Sequence, residues 1–294
     1  MKRVLITGVD SYVGDSVEQY LARWPERYQV DKVDMRTPDW KNTNFSKYDC
    51  VFHVAGLAHA DYKKVSEERK ALYYKVNADL AAETARKAKA EGVKQFIFMS
   101  TANVYGASAP IGKRKVITKD SVIDIVNLNG DSKLWAEQLL HELESVGFKV
   151  VILRAPMIYG RGCKGNYATL SKLAKKLPVF PDIKNERSML YIGNLVEFVR
   201  LMIENEEQGT FFPCDKEWYC TSEIVKLIAA ENGKKIILVP GCGWLLKFLS
   251  HFSGQVNKAF GSFAYDPALG VYKQNYRKYA LTGGVRLSER KGKR

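Results

Sequence analysis

Gly8, Ser11 and Gly14 have the residue types and spacing of a turn that binds a phosphate through backbone N–H groups. An apolar run, Val-Leu-Ile-Thr, stops at Gly8, and Gly14 opens an amphipathic segment. A strand, a tight turn and a helix in this order aim N–H groups and the positive end of the helix dipole at an anion. Ser11 replaces the middle glycine of the full pattern, so we expect weaker binding rather than none. On this turn alone, an ordinary strand–helix connection without a ligand is the competing interpretation.

An acidic residue lies at the matching position of the next strand. About twenty residues past Gly14, a second apolar strand over 30–33 ends at Asp34, whose carboxylate can accept hydrogen bonds from a ribose 2′-hydroxyl. The same charge would repel a 2′-phosphate, so the pattern favours NAD over NADP, although Arg36 leaves some room for the latter. Two glycines and a spaced acid together predict a dinucleotide site.

Strand-like and helical segments alternate through the first half of the chain. Strands are predicted over 49–55, 94–100 and 148–153, and helices over 65–92 and 130–146. Such alternation requires parallel pairing with right-handed crossovers, so we expect an α/β fold built on a doubly wound parallel sheet of the Rossmann type. We assign residues 1–158 to this domain.

In the second half of the chain, the residues that interrupt helices and strands are distributed differently. From Tyr159 onward glycines and prolines are irregularly spaced, which predicts a smaller lobe over 159–280, with strand exchange between the two lobes allowed for. Residues 281–294 are rich in basic side chains and are expected to form a solvated tail. The segment 244–260 has an apolar face; a helix on a membrane surface is one interpretation, and a packed core helix is the one we favour.

Composition limits the classes of partner. Lys and Arg exceed Asp and Glu to give a net charge of +14, which suggests anionic ligands, but the basic residues are dispersed and we expect no nucleic-acid partner. The five cysteines form no CxxC pair, so we expect reduced thiols and no metal site. The sequence shows neither a bilayer-spanning run nor a signal peptide, which favours a cytoplasmic protein without membrane association.

Several separated motifs then agree in order. The chain resembles the extended short-chain dehydrogenase/reductases, in particular the NAD-dependent epimerase/dehydratase branch that acts on nucleotide sugars. Five stretches carry the likeness, and a sixth resembles the phosphate-binding arginine segment of that family: 7–14, 52–56, 100–106, 130–137, 154–160 and 187–192. An ordered set of this kind is more specific than any single motif.

The resemblance implies a catalytic group. Thr101 matches the Ser/Thr that holds the reacting oxygen, and Lys133 matches the lysine that hydrogen-bonds the nicotinamide ribose. The tyrosine of the family should lie four residues before Lys133, but that position is Asn129, whose carboxamide does not exchange a proton near neutral pH. Tyr105 is the first candidate to replace it and His59 the second, and a water ordered by Asn129 and Lys133 is a third.

The resemblance also implies binding residues and a helix asparagine, Asn77, that holds the active-site loop or a bound water. The expected NAD contacts are Gly8, Ser11, Tyr12, Val13, Gly14, Asp34, Met35, Arg36, Val54, Ala55, Gly56, Ser100, Lys133 and Pro156. The expected substrate contacts are His59, just past the strand that ends at Gly56, and Tyr159, Asn166 and Arg187 in the lobe 159–280.

The implied activity is NAD-dependent epimerisation of a nucleotide sugar at C4, with a UDP-sugar favoured. Reduction of a 4-keto nucleotide sugar is one alternative. A protein that binds NAD or a sugar nucleotide without turnover is another, because Ser11 and Asn129 both depart from the pattern. Family relatives pair through two long helices, here the one ending near Gly92 and the one after Gly130, which implies a homodimer.

Overall fold

A computed structural model describes residues 1–58, 65–252 and 254–290. Its main sheet has six parallel strands in the order β10-β6-β4-β3-β1-β2. The strands are β1 (Lys2–Thr7), β2 (Tyr28–Val33), β3 (Cys50–His53), β4 (Gln95–Thr101), β6 (Lys149–Ala155) and β10 (Gly209–Phe211). The strand order reverses between β1 and β3, and the crevice at the carboxyl ends of such a pair is where ligands bind in open α/β sheets. The predicted doubly wound parallel sheet is confirmed.

Five helices belong to the crossovers of this sheet. They are α1 (Tyr12–Leu21), α2 (Glu67–Tyr74), α3 (Leu80–Ala90), α4 (Leu128–His141) and α6 (Ile192–Glu204), and a π-helical turn over Lys75–Asp79 joins α2 to α3. The single helix predicted over 65–92 is therefore confirmed as a continuous helical run. Side-chain caps set three of the starts, since Ser11 accepts from Gly14 N, Ser66 accepts from Arg69 N and Asn127 accepts from Gly130 N.

The described chain divides into two compact units. Unit 1 comprises the described residues within 1–106, 122–155 and 196–212, and unit 2 comprises those within 107–121, 156–195 and 213–294. The core of unit 1 is apolar on both faces of the sheet, and Phe96, Ile97 and Phe98 are fully buried. This continuous burial is typical of a parallel sheet covered by helices.

Unit 2 is built from short strand pairs and helices. Its strands are β5 (Val116–Ile117), β7 (Met157–Tyr159), β8 (Val179–Pro181), β9 (Met189–Tyr191), β11 (Ile237–Val239) and β12 (Ala264–Tyr265), which pair in parallel as β5–β12, β7–β9 and β8–β11. Its helices are α5 (Asn166–Lys176), α7 (Thr221–Glu231), α8 (Gly243–Phe252), α9 (Gly254–Phe260) and α10 (Leu281–Glu289). Tyr159, Tyr167, Met189 and Ile228 belong to its core.

Two expectations for the end of the chain are wrong. Residues 281–289 form α10 rather than a solvated tail, because Val285 is fully buried and the Glu289 carboxylate accepts from Tyr167 and Ser171. The helix expected to be packed in the core is exposed over α8, which contains no buried residue, although α9 ends in the buried Phe260. Residues 291–294 lie outside the described part of the chain.

No helix among residues 1–58, 65–252 and 254–290 is long and apolar enough to cross a membrane. Within the same ranges, no group of three or more His, Cys, Asp and Glu side chains is placed to hold a metal ion.

Candidate cofactor and substrate sites

The turn between β1 and α1 is closed against the loop after β3. Gly8 has φ +104°, and a β-carbon there would lie 3.1 Å from Ala55 N, so a larger residue would be strained and would clash. A β-carbon added at Gly14 would lie 3.2 Å from a Val54 methyl group. The Ser11 hydroxyl accepts from Gly14 N at 3.3 Å and so caps α1. The turn therefore brings together four of the predicted NAD residues (Gly8, Gly14, Val54 and Ala55), with Tyr12 and Val13 in the first turn of α1.

Asp34 follows the carboxyl end of β2 and is held by Arg36. The Asp34 carboxylate accepts from Arg36 Nε at 2.9 Å and from Arg36 Nη2 at 2.7 Å. This hydrogen bonding lowers the pKa of Asp34, so the carboxylate is ionised at neutral pH. Met35, between them, is buried. The ionised carboxylate of Asp34 can accept a hydrogen bond from a ribose 2′-hydroxyl, and Arg36 partly neutralises its negative charge.

Lys133 is a buried cation on α4. Its side chain is enclosed so that only 7% of the residue is exposed, and its Nζ lies 4.4 Å from the centroid of the Phe98 ring. Burial lowers the pKa of Lys133 to about 8, although Glu137 opposes the shift. A β-carbon at Gly56 would lie 3.0 Å from Lys133 Nζ, so the backbone of the loop after β3 covers the ammonium closely.

The first turn of α4 begins against the turn that follows β4. A β-carbon at Gly130 would lie 2.6 Å from Asn103 O, so only a glycine allows this approach. Thr101 ends β4 and accepts from Asn103 N at 3.2 Å. Asn129 lies in this first turn, four residues before Lys133 and therefore on the same face of the helix. The structure thus collects Thr101, Asn129 and Lys133 at one end of the sheet.

Asn77 fixes the position of the loop over Lys133. It lies in the π-helical turn and is fully buried. Its Oδ1 accepts from Leu57 N at 2.7 Å, and its Nδ2 donates to Leu57 O at 3.0 Å and to Ser132 Oγ at 2.8 Å. Asn77 therefore connects the loop after β3 to the residue next to Lys133. Single-turn π-bulges are frequent at functional sites, in agreement with this placement.

Sequence reasoning did not identify a buried ion pair under α4. Arg154 on β6 donates to the Glu137 carboxylate through Nη2 at 2.6 Å and through Nε, and Ser100 hydrogen-bonds the same carboxylate. Arg154 Nη1 also donates to the Tyr105 hydroxyl at 2.6 Å. Two predicted site residues, Ser100 and Tyr105, are therefore held by this pair. Both charged residues lie in motifs that support the family resemblance, but nothing in their spacing identifies them as partners.

Of the two histidines at and shortly after the end of β3 in the sequence, the structure describes only His53. His53 at the end of β3 is fully buried, hydrogen-bonds Thr7 at 2.8 Å and stacks on Phe96 and Phe98. Burial, followed by the charge of Lys133, lowers the pKa of His53 to about 3, so its ring is neutral at physiological pH. His59, a predicted substrate contact and candidate proton carrier, lies outside the described residues.

Unit 2 contains a cavity of about 240 Å³ with cationic lining. Arg187 and Asn166 line it, together with Tyr219 and Lys258. Arg187 Nε donates to the Tyr219 hydroxyl at 3.1 Å and Nη1 to Gly261 O at 2.8 Å. Since Arg187 forms no ion pair with any described residue, its charge is available to a phosphate.

Two further predicted residues lie elsewhere in unit 2. Tyr159 is fully buried and packs its ring on Tyr167 at 5.1 Å and on Tyr191 at 5.5 Å. We therefore leave Tyr159 out of the substrate site. Pro156 connects β6 to β7 and is partly buried.

The fold and these two sites define a dinucleotide-binding α/β protein with a second unit that carries a basic cavity. Residues 4–212 match the sequence model of the NAD dependent epimerase/dehydratase family. The chain belongs to this family, and NAD is the cofactor with which the family works. The residues around Gly8, Asp34 and Lys133 fit NAD by their chemistry. The glycine turn leads into the N-terminus of α1, where N–H groups can receive a pyrophosphate, and Asp34 is ionised while Lys133 is a buried hydrogen-bond donor.

Two curated relatives cover most of the chain. It is similar to a UDP-glucose 4-epimerase from Vibrio cholerae, with 29% identity over 276 residues, 86% of this chain and 83% of that protein. It is also similar to an N-acetyl-alpha-D-glucosaminyl-diphospho-ditrans,octacis-undecaprenol 4-epimerase from Escherichia coli O157:H7, with 27% identity over 220 residues, 72% of this chain and 63% of that protein.

A solved structure shares the fold. A UDP-glucuronic acid 4-epimerase from Bacillus cereus in complex with NAD aligns with a TM-score of 0.74, covering 98% of this chain and 97% of that one at 18% identity. At this identity the likeness concerns the architecture alone.

Proposed function

We propose that the protein is an NAD-dependent nucleotide-sugar epimerase acting at sugar C4, with a UDP-sugar as substrate. The observation that carries the proposal is the buried ammonium of Lys133. It is covered by Gly56 of the loop after β3, and Lys133 lies on the same face of α4 as Asn129. The match to a UDP-glucose 4-epimerase over 86% of the chain supports it.

Each binding residue has a proposed part. Asp34 accepts from the adenosine ribose, and the N-terminus of α1 receives the pyrophosphate. Lys133 donates to the nicotinamide ribose, and Thr101 donates to or accepts from the reacting sugar oxygen. When bound, NAD supplies reversible hydride acceptance from the sugar carbon. In unit 2, Arg187 binds the substrate diphosphate, and Asn166 contacts the base or the sugar.

The proton of the sugar hydroxyl needs a separate carrier. Asn129 does not titrate, and the Tyr105 hydroxyl is buried and hydrogen-bonded to Arg154. We therefore propose that a water molecule held by Asn129 and Lys133 relays the proton from the sugar hydroxyl to the solvent. Loss of a positioned acid–base group lowers rates by about 10²–10⁴, so we expect slow turnover.

A protein that binds NAD and a sugar nucleotide without turnover is the second candidate. Asn129 favours it, because the position one turn before Lys133 has no titratable side chain. Reduction of a 4-keto nucleotide sugar is tested in the same assay. A lipid-linked sugar diphosphate, the substrate class that the name of the Escherichia coli relative gives, is tested in the same way.

The assay is incubation of the purified chain in two arms, followed by product analysis. One arm contains NAD with UDP-glucose, UDP-N-acetylglucosamine or a lipid-linked sugar diphosphate, and the other contains NADH, as hydride donor, with the 4-keto derivatives of the two UDP-sugars. We expect the C4 epimer of a UDP-sugar. Arg187→Ala should raise KM while NAD affinity is retained, and Arg161→Ala, at an exposed arginine of the same unit, is the matched control. If NAD binds and no substrate is converted, the epimerase proposal is rejected in favour of the binding protein.

We also propose a cytoplasmic homodimer. All five cysteines are free thiols, as expected in a reducing compartment. Trp135 is half exposed on α4, one of the two helices through which family relatives pair. Trp135→Glu should convert the dimer to a monomer in size-exclusion chromatography with light scattering.

A further inference from the structure

α8 presents a broad apolar face to solvent. Trp244, Phe248 and Phe252 follow one another at four-residue spacing and are 74%, 59% and 76% exposed. Leu245 and Leu249 extend the same face and are also exposed. The Phe248 and Phe252 rings contact each other edge to face at 5.2 Å. Soluble monomers rarely expose a contiguous apolar surface of this kind without a binding role.

Only a narrow inner side of α8 contacts the rest of unit 2. Leu246 packs against the core cluster of this unit, and a β-carbon at Gly243 would lie 3.7 Å from the Ile183 side chain. The inner side positions the helix, while the other five of its six large apolar residues remain outside. The exposed face is thus a fixed feature of the helix, which runs along the surface of the unit.

Within the chain segment that contains α8, the charged side chains have a single sign. No Asp or Glu occurs between Glu231 and Asp266, whereas the same segment contains four lysines, among them Lys235 and Lys247. Lys247 is exposed on α8, to one side of the apolar face. An aromatic apolar face with a basic flank and no acidic residue has the composition of a helix that lies in a membrane interface.

We propose that α8 docks the protein on an anionic phospholipid surface, with Trp244, Phe248 and Phe252 inserted at the headgroup level. The basic segment complements the negative leaflet, which attracts lysines by about 1 kcal/mol each. α9 follows α8 and supplies Lys258 and Ala259 to the cavity of unit 2. Docking through α8 therefore holds this cavity one helix away from the bilayer.

The test is co-sedimentation of the full chain with phosphatidylcholine vesicles that contain or lack about 30% phosphatidylglycerol. We expect binding to be about tenfold stronger with the anionic lipid, and to weaken as salt rises from about 0.1 M to about 0.5 M. Lys235→Glu with Lys247→Glu should reduce binding to the anionic vesicles. Trp244 should show a blue-shifted emission on these vesicles, measured as the difference between the wild type and Trp244→Phe.

A matched pair of variants separates the apolar face from exposed apolar residues in general. The triple variant Trp244→Ser, Phe248→Ser, Phe252→Ser should lose at least about tenfold in vesicle binding. The triple variant Val122→Ser, Val146→Ser, Val271→Ser, at exposed positions outside α8, should bind as the wild type does. Both should keep the melting temperature and the turnover of soluble substrate.

Three results would overturn the proposal. The first is absence of vesicle binding by the wild type, and the second is full binding by the α8 triple variant. The third is a dimer that dissociates only in the α8 triple variant, because this face would then be covered by a second copy of the chain. Vesicle binding requires no catalysis, so a failure of the epimerase assay leaves this result unaffected.

Discussion

The Lys133 ammonium lies 3.0 Å from the point that a β-carbon of Gly56 would occupy. The same carbon would lie 3.0 Å from Asn77 Oδ1, which holds the loop by a hydrogen bond to Leu57 N. Gly56 is thus the point at which the loop after β3, the π-helical turn and α4 meet. Any added side-chain atom must displace either the ammonium or the asparagine.

Gly56→Ala should weaken NAD binding about tenfold, because overpacking at such a contact costs about 1–3 kcal/mol. Isothermal titration with NAD measures the change. Gly147→Ala is the matched control, since a β-carbon there meets no atom within 4 Å. Equal NAD affinity in the Gly56→Ala variant and the control would show that the loop does not contact the cofactor site.

Asn129→Tyr should raise the rate of C4 epimerisation by about 10²–10⁴, because it restores a titratable hydroxyl one helical turn before Lys133. The buried ammonium of Lys133 would favour the ionised form of that hydroxyl. Asn129→Phe supplies the ring without the hydroxyl and should give no gain. A rate that falls in both variants would indicate that the site is adapted to asparagine.

Local pattern was sufficient to predict the elements that carry the cofactor residues. Apolar runs that end at Gly8 and Gly56 correspond to β1 and β3, because a buried parallel strand is apolar on both faces. The short β10 could not be predicted, since its three residues form a strand only by pairing with β6, which lies more than fifty residues earlier in the chain. Strand partners at this distance leave no periodic trace in the sequence.

The surroundings of individual side chains could be predicted from the sequence less well than the secondary structure. An amphipathic pattern predicts the helix at α8, but the same pattern describes a helix that is covered and one that is exposed. Likewise, Glu137 and Arg154 become partners only because α4 packs on the sheet beside β6. Which face is covered and which charges meet are decided by tertiary packing, outside the range of local patterns.

Lys133→Met should stabilise the protein at neutral pH by about 3 kcal/mol, because burial of the ammonium lowers the pKa of Lys133 from 10.5 to about 8. Between these two pH values the unfolded state binds more protons than the folded state, so wild-type stability rises with pH. The advantage of the variant should therefore shrink from pH 8 upward and vanish above pH 10.5. Urea unfolding at several pH values measures this. A constant difference would contradict a buried charge at this position.

Asp34→Ser should shift coenzyme preference from NAD towards NADP. The substitution removes the carboxylate that repels a 2′-phosphate and releases the Arg36 guanidinium, which now donates to Asp34 from Nε and Nη2. We expect the ratio of the two dissociation constants to change by at least about tenfold, which titration calorimetry resolves. The double variant Asp34→Ser, Arg36→Ala should bind both coenzymes weakly. If its preference equals that of Asp34→Ser, Arg36 has no part in selectivity.

Arg154→Met should lower the free energy of unfolding by about 3 kcal/mol, because it leaves the Glu137 carboxylate buried without its cation. Desolvation of an unpaired charge costs more than the pair itself contributes, so removing both charges is less harmful than removing one. The double variant Glu137→Met, Arg154→Met should therefore recover most of the loss in urea unfolding at neutral pH. Since Arg154 also holds the Tyr105 hydroxyl, Tyr105→Phe tests separately whether Tyr105 carries the proton: turnover that survives in this variant assigns the role to another group.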